Sequence, residues 1–160
     1  MAICIPGALF YTREMNRAIS QAEKSSKSIS LIGDLREEIE FWRFLDSWQG
    51  KAVWRKETHC QIKMATDASL YKWAGKMLSG LEEGLEIHDY FDDNNNSPIH
   101  VKEGLAVLKT LEAWGVRIQN SRLDVFSDNQ ALIKAWERQG SKSREFNNVL
   151  KSLFQLSKTS

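Results

Sequence analysis

A mixed α+β sheet with helical cover, preceded by a helical pair, is the fold class that this 160-residue sequence predicts. Two observations on the strand pattern carry that expectation. Three apolar stretches follow one another within residues 60–91, joined by short polar or glycine-containing turns, as in an antiparallel meander. A helical pattern over residues 101–114 then feeds one more strand-like stretch, which is not the regular alternation of an all-parallel α/β design. A third observation concerns the preceding residues, whose apolar positions recur with periods of three and four.

The elements follow in order. Residues 7–24, GALFYTREMNRAISQAEK, place Leu9 and Phe10, Arg13 and Glu14, Arg17 and Ala18, and Gln21 at helical spacing, and SKSIS then interrupts them. A second helix is expected over residues 31–48, where Leu31, Leu35, Ile39, Trp42 and Leu45 step along one face, and Gly50 ends it. AVWRK (52–56) and CQIKMATDAS (60–69) read as strands, the second with Ile62 and Met64 inward and Gln61 and Lys63 outward. YKWAGKML and LEIHDYF are two further strands, with Gly80 and Gly84 in the turn between them. DDNNNSPIH is turn chemistry ahead of the helix VKEGLAVLKTLEAW, which carries Val101, Leu105, Leu108 and Leu111 or Glu112 on successive turns. RLDVFSDN is a strand ending at Asp128, and QALIKAWERQ is a short helix opening directly after it. Residues 143–156 form a last amphipathic helix with Phe146, Val149, Leu150, Leu153 and Phe154 on its apolar face. Residues 1–50 are thus a helical region and residues 51–160 a sheet domain.

Composition narrows the function classes. A hydrophobic content of 42% with 27% charged residues and two prolines suits an ordinary globular chain rather than a disordered one. The formal charge of +1 excludes a global basic field, so any contact with a polyanion must come from a local patch. Cys4 and Cys60 lack metal-ligand spacing, which excludes a cysteine zinc site and reads as reduced thiols inside the cell, in cytoplasm or nucleus. The apolar opening MAICIPGALF has no basic leader and is broken by Pro6 and Gly7, so it is not read as a signal peptide. No apolar run approaches the roughly 20 residues of a membrane span, so no membrane partner is expected.

Three acids stand where a sheet could gather them. Asp67 ends the first central strand, Glu103 lies near the start of the following helix, and Asp128 ends the next strand. If those strands are neighbours and the helix crosses them, the three carboxylates converge at one end of the sheet, a hard oxygen donor set suited to Mg2+ or Mn2+. Each acid also has an ordinary structural explanation: an aspartate at a strand end forms a turn, and a glutamate in a first helical turn complements the helix dipole. Asp67 and Asp128 nevertheless share a local pattern, TDAS and SDNQ, each after an apolar strand.

The segments ATDASLYKWAG, HVKEGLAVLKTLEAW, LDVFSDNQALIKAW and RQGSKSREFNNVLKSL together resemble the ribonuclease H domains attached to reverse transcriptases, most closely those of DIRS-type retrotransposons. The resemblance spans about residues 31–156, with LIGDLREEIEFWRFLDSW similar to the connection region ahead of that domain. The acids follow the family's order, separated by 36 residues (67 to 103) and 25 residues (103 to 128). It implies a ribonuclease H-like fold, with Asp67, Glu103 and Asp128 as catalytic metal ligands for Mg2+ or Mn2+. The implied activity is endonucleolytic hydrolysis of the RNA strand of RNA/DNA hybrids, beside a polymerase domain in a parent polyprotein. A transposase or integrase core would order its acids Asp, Asp, Glu. The family continues into a fifth strand and a terminal helix bearing a fourth acid; here no acid follows Glu145. Fewer charges weaken the second metal's binding, so the alternative is a catalytically silent ribonuclease H-like scaffold or nucleic-acid-binding module. The absent strand would leave the strand before Asp128 as a sheet edge open to self-association.

In the enzyme reading Asp67, on the central strand, bridges two metals, while Glu103 and Asp128 serve the leaving-group and water sides, in either assignment. Ser69, Asn129 and Gln130 lie beside these ligands and are candidates for contacts to 2′-hydroxyls. Lys134, Arg138, Lys142 and Arg144 are a local basic stretch that could meet phosphates, or simply a solvated face. Trp73, Trp114 and Trp136 are expected in the core. His100 is expected to cap a helix start, His59 and His88 have no acid partners in register, and no Ser/His/Asp motif is present.

Overall fold

The computed structural model describes residues 7–49 and 61–159. The strand expected over 52–56, Cys4, Cys60 and His59 lie outside the described residues. The chain divides into two compact units, Met1–Arg55 and Lys56–Ser160.

In the first unit the periodic stretch over 7–24 is broken. A 3-10 turn, Ala8–Tyr11, precedes helix α1, Arg13–Ser25. Thr12 sits between them in a non-helical conformation, its Oγ1 donating to the Leu9 carbonyl. Helix α2 covers only Gly33–Phe41 and tightens into a 3-10 segment, Trp42–Asp46. Leu31, expected on the packed face, lies ahead of the helix and is exposed, while Leu35, Ile39, Trp42 and Leu45 are half-buried. The pair is held by a buried carboxylate. Glu38 on α2 is fully inaccessible and accepts hydrogen bonds from the N–H groups of Glu14 and Met15, both at 3.0 Å. Those are donors of α1's first turn, which have no partner within the helix, and a negative charge there also complements its dipole. Tyr11 stacks on Phe41 with ring centroids 3.9 Å apart, and Trp42 Nε1 donates to the Tyr11 carbonyl.

The second unit is built on a four-stranded sheet of β1 (Gln61–Ala68), β2 (Lys72–Ser79), β3 (Glu86–Tyr90) and β4 (Arg122–Phe126), in the order β3-β2-β1-β4. The meander pairs β1 with β2 and β2 with β3 antiparallel. β4 runs parallel to β1, which requires a crossover, supplied by helix α3, Ile99–Trp114. The sheet is therefore mixed, and β4 stands at one of its edges. Helices α4 (Gln130–Glu137) and α5 (Arg144–Thr159) follow, α5 packing on α3.

Ile62, Met64 and Thr66 are buried while Gln61 and Lys63 are exposed, as the alternation in β1 predicts. Ile62 and Met64 join Met77, Trp114 and Ile118 in one core cluster; Trp73, Phe91 and Ala106 form another. The buried face of α3 differs from the expected leucine stripe. Its buried residues are Val101, Lys102, Glu103, Gly104, Ala106, Val107, Thr110 and Trp114, whereas Leu105, Leu108 and Leu111 are half-buried flanks. The reason is close approach: a Cβ on Gly75 of β2 would lie 2.3 Å from Thr110 Cγ2, so only small side chains fit where helix meets sheet. On α5 the expected face is buried, Phe146, Val149, Leu150, Leu153 and Phe154 included. Trp136, expected in the core, is 42% exposed and lines an open apolar cavity with Leu132 and Leu153. No helix among the described residues is long and apolar enough to cross a membrane.

Candidate metal centre

β1 ends in a tight turn whose hydrogen bonds come from Ser69. Its Oγ accepts from the N–H groups of Tyr71 and Lys72, at 3.3 and 3.0 Å, and its own N–H donates to the Lys72 carbonyl at 2.8 Å. Asp67, one residue inside the end of β1, is left exposed with no part in that turn. β4 ends at Phe126 rather than at Asp128, because Ser127 Oγ accepts from the Asn129 N–H and turns the chain out of the ladder. Asn129 Oδ1 then caps α4 by accepting from the Leu132 N–H at 3.0 Å. Asp128 lies between these groups, exposed and with neither local duty. Glu103 is the fifth residue of α3, and no acid occupies the first turn, so it is not a dipole complement at the helix start. The ordinary structural roles available to all three acids are thus filled by neighbours or ruled out by position.

The three carboxylates meet. One oxygen from each of Asp67, Glu103 and Asp128 can be chosen so that all lie within 4.8 Å of one another. Glu103 is 3% exposed, its side chain accepts a hydrogen bond from the Ala68 N–H, and its Oε2 is buried with no hydrogen-bond partner. Burial foremost, then the charge of Asp67, pushes the Glu103 carboxyl up from its ordinary 4.5 to about 7; the Ala68 hydrogen bond opposes this and Asp128 adds to it. Among the described residues no lysine or arginine forms an ion pair with any of the three. A buried carboxylate oxygen with an open lone pair, two exposed carboxylates beside it and no compensating side chain fit a hard divalent cation.

The other expected contacts divide. Ser69 and Asn129 are at the rim of this group, but their oxygens are engaged in the turn and the cap, which leaves the Asn129 amide N–H groups as donors. Gln130 is exposed as the first residue of α4. Lys134 on α4 and Arg138, the residue at its C-cap, are exposed, while Lys142 and Arg144 are exposed in the α4–α5 connection and at the start of α5. His100 does not cap α3. Pro98 holds the N-cap position, and the His100 ring packs edge-on against Phe146 with centroids 4.9 Å apart. His88 is exposed on β3.

One residue near the site carried no sequence signal. Lys102, beside Glu103, is 4% exposed; its Nζ donates to the Leu70 carbonyl and lies 5.4 Å from the centre of the Phe91 ring. It ties α3 to the turn that follows Asp67. No model of a protein family matches the chain, and neither a curated protein nor a solved structure does.

Proposed function

We propose that the chain is a ribonuclease H-like nuclease domain that hydrolyses the RNA strand of RNA/DNA hybrids, the ribonuclease H part of a retroelement reverse transcriptase beside its polymerase domain. The observation that carries this reading is the group of three carboxylates within 4.8 Å, one of them buried with an unpartnered oxygen. The order β3-β2-β1-β4, with β4 parallel to β1 and α3 crossing over from β3 to β4, supports it further.

Asp67, Glu103 and Asp128 would hold Mg2+ or Mn2+. When bound, the ions supply a more acidic attacking water and positive charge at the scissile phosphate. The protein's own contribution is positioning and charge. Glu103 is anchored by α3 and the Ala68 N–H, so its free oxygen keeps a fixed direction, and it must shed its proton to become a ligand. Asp67 and Asp128 present their carboxylates to solvent, the side from which a duplex can approach. Gln130 and the Asn129 amide stand beside them as donors and acceptors for 2′-hydroxyls, the groups that separate an RNA strand from DNA.

A catalytically silent scaffold is the second reading, favoured by the Glu103 carboxyl, which burial pushes up to about 7 and so toward its protonated, non-ligating form. A labelled RNA/DNA hybrid incubated with increasing Mg2+ or Mn2+ separates the two. Cleavage by the wild type that disappears in Asp67→Asn supports the nuclease; cleavage that survives the substitution refutes the site. No cleavage by either form selects the scaffold.

A further inference from the structure

Lys102 is buried in the first turn of α3, where an ammonium group meets two costs. It is taken out of water, and it stands at the helix end whose dipole is already positive. A methionine of similar length would incur neither. Stability therefore does not account for a lysine at this position. What the ammonium does there is donate to the Leu70 carbonyl, with the Phe91 ring on another side.

Leu70 belongs to the turn between β1 and β2, which follows Asp67 and Ala68 directly. That turn is a closed hydrogen-bonded unit. The Ser69 N–H donates to the Lys72 carbonyl, and Ser69 Oγ accepts from the Tyr71 and Lys72 N–H groups. Its side chains give it no apolar anchor, because Ser69, Leu70 and Tyr71 are all exposed. On the β3 side the Phe91 N–H donates to the Tyr71 carbonyl at 2.8 Å.

On the α3 side two consecutive side chains reach the end of β1. Glu103 accepts from the Ala68 N–H, and Lys102 donates to the Leu70 carbonyl. The first contact is made by one of the three gathered acids, through the carboxylate whose Oε2 is unpartnered. Lys102 supplies the second point of attachment, so the Ala68 bond does not hold Asp67 and the turn against α3 by itself. We infer that Lys102 is a positioning residue, which keeps Asp67 beside Glu103 by fastening the β1–β2 turn to α3; its bearing on metal affinity rests on the reading of the three acids as ligands.

Backbone amide hydrogen exchange, read by NMR on the full chain in EDTA, tests the fastening without any metal. Wild type is compared with Lys102→Met, which fills the space without a donor, and with Lys102→Gln, whose amide ends one bond short of Nζ. The amides of Ala68, Tyr71 and Lys72 are expected to exchange at least about tenfold faster in both variants, while those of Ile62 and Met64 within β1 change by less than about twofold. Titration with Mn2+, followed by electron paramagnetic resonance, should show affinity lowered by about tenfold in both. Equal acceleration at all five amides would make Lys102 a general stabiliser, and no acceleration would make its hydrogen bond idle; either overturns the inference. So does failure of both variants to fold, or a loosened turn with wild-type Mn2+ affinity. A wild type that binds no Mn2+ counts against the metal centre, and the exchange at Ala68, Tyr71 and Lys72 then decides the positioning by itself.

Discussion

Glu103→Gln is expected to stabilise the metal-free fold while removing the site's buried ligand. In the wild type the Glu103 carboxyl is held at about 7 against an ordinary 4.5, chiefly by burial and by Asp67. A gap of that size corresponds to at most about 3 kcal/mol between protonation states. Asp67 and Asp128 are exposed, so solvent screens their share and leaves about 1–2 kcal/mol. The sign follows from the direction of the shift. The folded state holds this proton more tightly than the unfolded one, so the contribution is full below pH 4.5 and is lost as pH rises through about 7. Glutamine has the same shape and no charge to desolvate, so it escapes that loss. Urea denaturation of both forms in EDTA should give similar stabilities near pH 5 and a variant more stable by about 1–2 kcal/mol at pH 8. In thermal melts that is a rise of roughly 5 °C for a domain of this size. A variant that is less stable at pH 8, or a difference that does not change between pH 5 and 8, would refute the reasoning.

Two further outcomes test how the site is framed. Gly75→Ala should destabilise the second unit by about 1–3 kcal/mol, because its Cβ would fall 2.3 Å from Thr110 Cγ2; pairing it with Thr110→Ala in a denaturation cycle should recover part of the loss, and no recovery would mean the contact is not the cause. Asn129→Ala should lower stability by about 1 kcal/mol through loss of the α4 cap. An unchanged urea midpoint would show that the cap is not used.

Much of the site was legible because its signal lies in order and spacing. Asp67 lies at the end of β1 and Asp128 two residues past the end of the neighbouring β4, and Glu103 rides on the helix that crosses over to β4, so topology gathers them. The alternation of Ile62 and Met64 with Gln61 and Lys63 reported the buried face of β1 for the same reason, period two in a half-buried strand. What sequence periodicity missed was contact. On α3 the leucines suggested the packed face, but the Gly75–Thr110 approach selects the small residues beside them. Ser69 and Asn129 looked like substrate contacts by proximity, and hydrogen bonding engages their oxygens in a turn and a cap. Trp136 has the size of a core residue, yet α4 turns Leu132 and Ala135 inward and leaves it at the surface. Lys102 gave no signal because its partner is a main-chain carbonyl, which no side-chain pattern encodes.

The claim on which the rest depends is that Asp67, Glu103 and Asp128 jointly hold a divalent cation. Titration of Mn2+ into the full chain at pH 8, followed by the loss of the free-ion electron paramagnetic resonance signal, reads this directly. Saturable binding that weakens by at least about tenfold in each of Asp67→Asn, Glu103→Gln and Asp128→Asn is the predicted result. Absence of binding, or binding indifferent to all three substitutions, would contradict it.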